Sequence, residues 1–64
     1  MQNKDTTILV VEDDTQIRSF ICYALKQEQF RYETANTAQA GLSILVTGRI
    51  DLMLLDLGLP DFDG

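Results

Sequence analysis

Two short, uninterrupted apolar runs mark this chain, at residues 8–11 and 52–55. Runs of this kind are typical of strands buried on both faces, as in parallel sheets that are covered by helices. Residues 30–34 instead alternate apolar and polar side chains, a pattern that favours a half-buried edge strand. The apolar pattern therefore predicts three strands, at residues 6–11, 30–34 and 52–56.

The two segments between these strands carry apolar residues at the i, i+3, i+4 spacing of amphipathic helices. In the first segment these residues are Ile17, Phe20, Ile21, Ala24 and Leu25. In the second they are Ala38, Gly41, Leu42, Leu45 and Val46. Each helix is expected to cover one face of the sheet with this stripe.

The joints between the elements carry recognisable capping residues. Asp14 or Thr15 can cap the first helix, and Asn36 or Thr37 the second. Gln29 stands where a helix often ends in a left-handed residue, which costs a non-glycine side chain ~1 kcal/mol. Helix ends are therefore predicted close to these positions.

Gly41 lies inside the second predicted helix, where glycine costs roughly 1 kcal/mol relative to alanine. Either the helix backbone packs closely against a neighbour at this point, or the glycine is simply tolerated. The sequence leaves both explanations open.

The element order β1-α1-β2-α2-β3 and the right-handed rule for crossovers restrict how the sheet is wound. Because residues 8–11 have the doubly buried pattern and residues 30–34 the edge pattern, we expect strand order 2-1-3 with the helices on opposite faces. The fold class is then α/β, a doubly wound parallel sheet. The apolar third strand would form an open edge.

Composition narrows the function classes. The 64 residues suffice for one small domain, and their formal net charge of −5 argues against binding to nucleic acid or an anionic membrane. Cys22 is the only cysteine, so no disulfide can form within the chain. No segment has the length of a signal peptide core or a membrane span. We therefore expect a cytoplasmic protein.

Acidic residues follow two of the predicted strands. Glu12 and Asp13 come directly after the first apolar run, and Asp56 follows the third. Because parallel neighbouring strands end at the same edge of a sheet, these carboxylates should converge where open α/β sheets bind their ligands. Like charges resist ionising together, and a hard cation such as Mg²⁺ relieves that cost. Asp14 is better explained as a helix cap than as a ligand.

Residues 8–14 (ILVVEDD) and 54–64 (LLDLGLPDFDG) together closely resemble the receiver domain of bacterial two-component response regulators. The likeness runs through the whole chain, and the phrase at residues 55–61 (LDLGLPD) resembles in particular the regulator of the Kdp potassium-transport system and its winged-helix relatives. The resemblance implies a flavodoxin-like receiver fold. It also implies a signalling domain that is not an enzyme acting on other molecules but promotes phosphoryl transfer to its own aspartate.

The resemblance assigns roles to individual residues. Asp56 matches the aspartate that accepts a phosphoryl group from a sensor histidine kinase, and Asp13 matches a direct Mg²⁺ ligand. Glu12 matches the acidic neighbour that acts through water, and the backbone carbonyl of Gly58 matches a further metal ligand. The implied cofactor is Mg²⁺ and the implied partner is the kinase.

The resemblance also implies that residues 1–64 form the first half of a receiver. Receivers have five strands, and the family's hydroxyl and lysine switch positions would lie beyond Gly64. DNA binding would belong to an output domain outside this segment. The open third strand leads us to expect self-association, and the alternative function is a degenerate or truncated receiver that only binds or dimerises.

Two other readings are disfavoured by the residues. A haloacid-dehalogenase-type enzyme also places an aspartate nucleophile after a buried strand, but it needs a second acid where this chain has Gly58. A dinucleotide-binding fold needs a glycine-rich turn after the first strand, and none is present.

Overall fold

The computed structural model describes residues 3–56 and Gly58, and every predicted strand and helix is present there. The elements are a 3₁₀ turn at Asn3–Asp5, β1 at Thr7–Val11, α1 at Thr15–Gln27, β2 at Arg31–Ala35, α2 at Ala38–Thr47 and β3 at Leu52–Leu55. At 13 and 10 residues, both described helices fall short of the ~20 apolar residues of a membrane span.

The strands form a parallel sheet in the order β2-β1-β3, which confirms the predicted topology. Val11 pairs with Ala35 of β2 on one side and with Leu55 of β3 on the other. Because β1 is paired along both edges and covered on both faces, its residues 8–11 are all buried. This burial confirms the prediction of a strand covered on both faces.

The two helices lie on opposite faces of the sheet. Leu9, Val11 and Ala35 form the buried core on the face that α2 covers, where Ile44 packs against them. On the other face, Ile21 of α1 lines a cavity together with residues of β1 and β3. Alternate strand residues point to alternate faces, so the single strand β1 contributes to both layers.

A hydrogen-bonded turn at the end of α1 moves the start of β2 by one residue. Gln29 has a φ of 65°, the predicted left-handed conformation. Its N–H donates to the Lys26 carbonyl, and the Phe30 N–H donates to the Leu25 carbonyl, the pattern of a Schellman motif. Because this N–H of Phe30 is used by the helix end, β2 begins at Arg31 and not at residue 30.

The predicted helix stripes were partly wrong. Phe20 is 72% exposed, whereas Ile21 and Leu25 are partly buried, and Phe20 lies about 100° from Ile21 around the helix. Val46 is 78% exposed, and Ile44, which the spacing did not single out, packs on the core in its place. In both helices the sheet contacts a narrower stripe than the apolar spacing suggested.

Close packing explains Gly41. This residue is buried, and a Cβ atom built on it would lie 2.8 Å from Cγ2 of Val11. Real carbon atoms do not approach this closely, so with any larger residue either the Val11 side chain or α2 must shift. Of the two explanations that the sequence left open, the structure supports the close approach of the backbone.

We predict that Gly41→Ala lowers the free energy of unfolding by about 1 kcal/mol. Overpacking a core costs about 1–3 kcal/mol, and alanine regains ~1 kcal/mol of helix propensity. Urea unfolding followed by circular dichroism measures the change. Ser43→Ala, at an exposed position of the same helix, is the control and should not destabilise. In a Val11→Ala background Gly41→Ala should become stabilising, and a stabilising effect in the wild-type background would contradict the steric argument.

The predicted open edge is confirmed within the described residues. β3 pairs only with β1, and Leu52 and Leu54 are 53% and 38% exposed. The main-chain groups along the outer side of this strand therefore have no strand partner in the part of the chain that the structure describes.

Candidate metal centre

Hydrogen bonds at the end of β1 bring the three acidic residues together. The Asp56 N–H donates to the Val11 carbonyl at 3.0 Å, and the Glu12 N–H donates to the Ala35 carbonyl at 3.0 Å. These two bonds continue the pairing of β1 beyond its last residue, one toward β3 and the other toward β2. As a result Glu12, Asp13 and Asp56 each place a carboxylate oxygen within 4.8 Å of the others.

The three side chains differ in their access to solvent. Glu12 is buried at 9% exposure, Asp56 is partly buried, and Asp13 is exposed. A cation reaching the cluster would therefore keep contact with water on the side of Asp13. Three carboxylate ligands and retained water suit a hard ion such as Mg²⁺ or Ca²⁺ better than a thiophilic metal.

Asp14 caps α1, as the sequence predicted, and does not join the cluster. Its Oδ1 accepts a hydrogen bond from the Ile17 N–H at 3.0 Å. Its own N–H donates to Oε2 of Glu12 at 3.2 Å. The cap and this bond shape the loop between β1 and α1, and they engage one carboxylate oxygen of Glu12 within the protein.

Arg18 also contacts this loop, and sequence reasoning missed it. Its Nη1 donates to the backbone carbonyl of Glu12 at 2.8 Å. Helical side chains lean toward the N-terminus of their helix, so a long basic residue in the first turn of α1 can reach back to the end of β1. The position of Arg18 in the first turn, together with this side-chain direction, is the sequence signal that could have predicted its contact with the loop.

Gly58 lies beside Asp56, as expected from the motif. The Gly58 N–H donates to Oδ1 of Asp56 at 2.9 Å, which orients the carboxylate. The predicted role of the Gly58 carbonyl as a metal ligand stays a prediction. The rest of the matching phrase, at residues 57 and 59–64, lies outside the described residues.

The close approach of the carboxylates affects the pKa of Glu12. The hydrogen bond from the Asp14 N–H lowers the pKa of Glu12, but burial and the nearby Asp56 and Asp13 carboxyls raise it more. The pKa of Glu12 therefore lies above the ordinary value of 4.5. Its proton is held more tightly in the folded state, so the stability that Glu12 contributes is complete below pH 4.5 and is lost as the pH rises through its folded pKa.

A cavity of about 200 Å³ opens beside the cluster, bounded by Glu12 and Asp56 and by apolar side chains that include Val10, Ile21 and Leu54. One water molecule takes about 30 Å³ in the liquid, so the cavity has room for several. The arrangement can therefore hold an ion that keeps part of its hydration shell, with the Asp56 carboxylate at the edge of the same space.

Comparison with known proteins places the chain in a family. Residues 8–64 match the model of the response regulator receiver domain. The KDP operon transcriptional regulatory protein KdpE of Escherichia coli is 48% identical over 59 residues, which cover 92% of this chain and 26% of that protein. The likeness to the Kdp regulator predicted from the sequence is thereby confirmed.

Two further relatives give the same picture. The swarming motility regulation protein RssB of Serratia marcescens is 44% identical, and the transcriptional regulatory protein BasR of Escherichia coli is 40% identical, each over 57 residues. These matches cover 89% of this chain and 26% of each relative, so the chain spans about a quarter of the length of the curated relatives it matches. With the matched family model and the predicted sheet order, this similarity shows that the chain belongs to the response regulator receiver domain family.

Proposed function

We propose that Asp56 accepts a phosphoryl group from a sensor histidine kinase, with Mg²⁺ held by Glu12, Asp13, Asp56 and the Gly58 carbonyl. The observation that carries this proposal is the convergence of three carboxylates within 4.8 Å at the carboxyl edge of the sheet. Such a cluster is electrostatically costly when empty, and a cation offsets that cost.

The chemistry assigned to Asp56 is an in-line displacement. A carboxylate oxygen of Asp56 forms a bond to phosphorus while the bond from phosphorus to the kinase histidine nitrogen breaks. The nitrogen leaves with the bonding electron pair and takes a proton from solvent. The bound cation supplies charge neutralisation for the transferred phosphoryl oxygens. The Gly58 N–H, which already donates to Oδ1, holds the nucleophile in one orientation.

Glu12 and Asp13 receive different roles in this proposal. Asp13 is exposed and is assigned direct contact with the ion. Glu12 already accepts a hydrogen bond at Oε2 from the Asp14 N–H, which supports an indirect role through water. The two residues should therefore contribute unequally to metal affinity.

In this proposal the chain is the first half of a receiver in a cytoplasmic regulator, and it acts as a signalling domain without catalysing reactions of other substrates. Any DNA contact is assigned to an output domain outside residues 1–64, in line with the transcriptional names of the relatives. The acidic net charge of −5 supports the absence of nucleic-acid contacts from this segment.

We predict that, in a protein with the whole receiver domain, Asp56 acquires a phosphoryl group from a small acyl-phosphate donor only when Mg²⁺ is present. Intact-mass spectrometry after incubation, with and without chelator, measures the adduct. Asp56→Asn should abolish it because the amide is a poor nucleophile. Asp51→Asn, an exposed acid at the other end of β3, is the matched control and should leave it unchanged. An adduct in Asp56→Asn, or full reaction in chelator, would contradict the assignment.

We predict a ranked loss of Mg²⁺ affinity among the acids. Asp13→Asn should weaken binding by about 10-fold or more, and Glu12→Gln should weaken it less, because only Asp13 is assigned direct contact. Isothermal titration calorimetry measures both. Without the ion, the same substitutions should leave the fold intact or more stable, since each removes a repelling charge. Equal affinity in the wild type and Asp13→Asn would refute the ligand assignment.

We also propose that the chain self-associates along β3, which supports the alternative role as a dimerisation module. No residue of β3 is charged, whereas the β2 edge carries Arg31 and Glu33. Charged side chains on an edge oppose strand pairing, so β3 is the edge open to a second copy. Asp51, at the start of β3, accepts a hydrogen bond from the Thr7 N–H at 2.8 Å and is thereby directed toward β1, away from the edge.

Symmetry selects the arrangement of the two copies. A two-fold axis perpendicular to the sheet makes the β3 strands antiparallel and keeps each face on its own side. Met53 can then lie opposite the second copy's Met53, with Leu52 opposite Leu54. The same operation brings Arg49, just before β3, to the acidic carboxyl end of the second copy. This self-complementarity of apolar side chains and charge is the argument for a second copy as the occupant of the edge.

We predict that sedimentation of the wild-type chain shows a mass above 7.2 kDa that rises with protein concentration. Leu52→Lys should shift the chain toward monomer because it places a charge on the pairing edge. Val46→Lys changes an exposed residue of α2 and is the control that should not alter the mass. A wild-type chain that is folded by circular dichroism and monomeric at every concentration would refute the proposal.

A further inference from the structure

Both polar groups of the Glu12 main chain are hydrogen-bonded by other elements. Its N–H donates to the Ala35 carbonyl of β2 at 3.0 Å, and its carbonyl accepts from Nη1 of Arg18 in α1 at 2.8 Å. The first bond continues the sheet, whereas the second uses a side chain. Arg18 thus supplies the partner for a carbonyl that lies just beyond the end of β1.

That carbonyl belongs to the peptide unit that joins Glu12 to Asp13. A peptide unit is planar and rigid, so holding its carbonyl sets the orientation of the whole plane, including the nitrogen of Asp13. The Cα of Asp13 lies in the same plane, so the bond helps to set the point from which the Asp13 side chain extends. The bond from Arg18 therefore acts on the exposed acid of the cluster without touching its carboxylate.

Arg18 is itself held firmly. Its backbone N–H donates to the Asp14 carbonyl at 2.9 Å, in the first turn of α1. The Asp14 side chain caps the same turn through the Ile17 N–H. Arg18 is partly buried and lines a cavity with Thr34 of β2. The donor thus extends from a hydrogen-bonded helical turn and is partly shielded from solvent.

We propose that Arg18 is a positioning residue, which orients the Glu12–Asp13 peptide so that Asp13 meets Asp56 at a shared cation. The proposal rests on the metal site of the proposed function. Arg18 has two opposite effects on the affinity for a cation: its hydrogen bond arranges the ligands, which raises the affinity, and its positive charge repels the ion, which lowers it. Whether the affinity falls or rises when Arg18 is removed therefore separates positioning from charge.

The first test is Mg²⁺ titration of Arg18→Gln by calorimetry. We expect about 10-fold weaker binding, the usual loss when a group that holds a metal ligand in place is removed. Arg31→Gln is the matched control, because Arg31 pairs with Thr7 at the opposite end of the sheet and its loss changes the net charge equally. The control should bind Mg²⁺ as tightly as the wild type or slightly more tightly. Arg18→Gln that behaves like Arg31→Gln would overturn the proposal.

A double substitution separates positioning from general weakening of the fold. If Arg18 acts through Asp13, then Arg18→Gln should have little further effect on Mg²⁺ affinity in an Asp13→Asn background. The same 10-fold loss in both backgrounds would indicate a structural role and overturn the proposal.

Circular dichroism checks the fold of each variant. Should Arg18→Gln unfold, the charge-conserving variants Arg18→Lys and Arg31→Lys are compared in its place. Lysine has a shorter reach, so Arg18→Lys should bind Mg²⁺ several-fold less tightly than Arg31→Lys. Equal affinities of the two variants would refute the positioning role.

A wild-type chain that binds no Mg²⁺ refutes the metal site itself, and with it the role of Arg18. Normal wild-type binding with unaffected Arg18 variants refutes the role of Arg18 alone.

Discussion

The structure depends on the pairing of β1 with a parallel strand on each side. Its two final bonds, from Asp56 to the Val11 carbonyl and from Glu12 to the Ala35 carbonyl, tie three separate segments of the chain to one point. Parallel strands all end at the same edge, so the residues that follow β1 and β3 become neighbours whatever their distance along the sequence. The carboxylate cluster is a direct consequence of this pairing.

Bringing carboxylates together opposes folding, and the chain offsets this cost locally. Main-chain N–H groups donate to the carboxylates of Glu12 and Asp56. These bonds satisfy some of the negative charge but do not cancel it, because the neighbouring carboxyls still contribute to the raised pKa of Glu12. A cluster that keeps this negative charge favours a cation, which is the physical basis of the proposed metal site.

Packing on the two faces is uneven for a physical reason. On the α2 face the absence of a side chain at Gly41 lets the helix approach Val11 closely, and the buried cluster of Leu9, Val11 and Ala35 forms there. The helices cover β3 less completely than β1, so Leu52 and Leu54 stay exposed to solvent. The central strand is therefore the secure part of the fold, and β3, which Asp56 follows, is the less covered of the two apolar strands. In this fold Asp56, the proposed nucleophile, directly follows an open edge strand of the sheet.

The sequence by itself determined the three strands, the two helices, their order in the sheet and the acids that meet at its edge. These follow from apolar runs and from the rule that parallel strands end together, both of which are local or topological. Tertiary structure alone decided which side of each helix is covered, as Phe20 and Ile44 show, because the stripe in contact depends on how closely the helix approaches the sheet. It also decided between the two explanations of Gly41 and revealed the bond from Arg18 to Glu12. Both are distances between elements, which no spacing along the chain encodes.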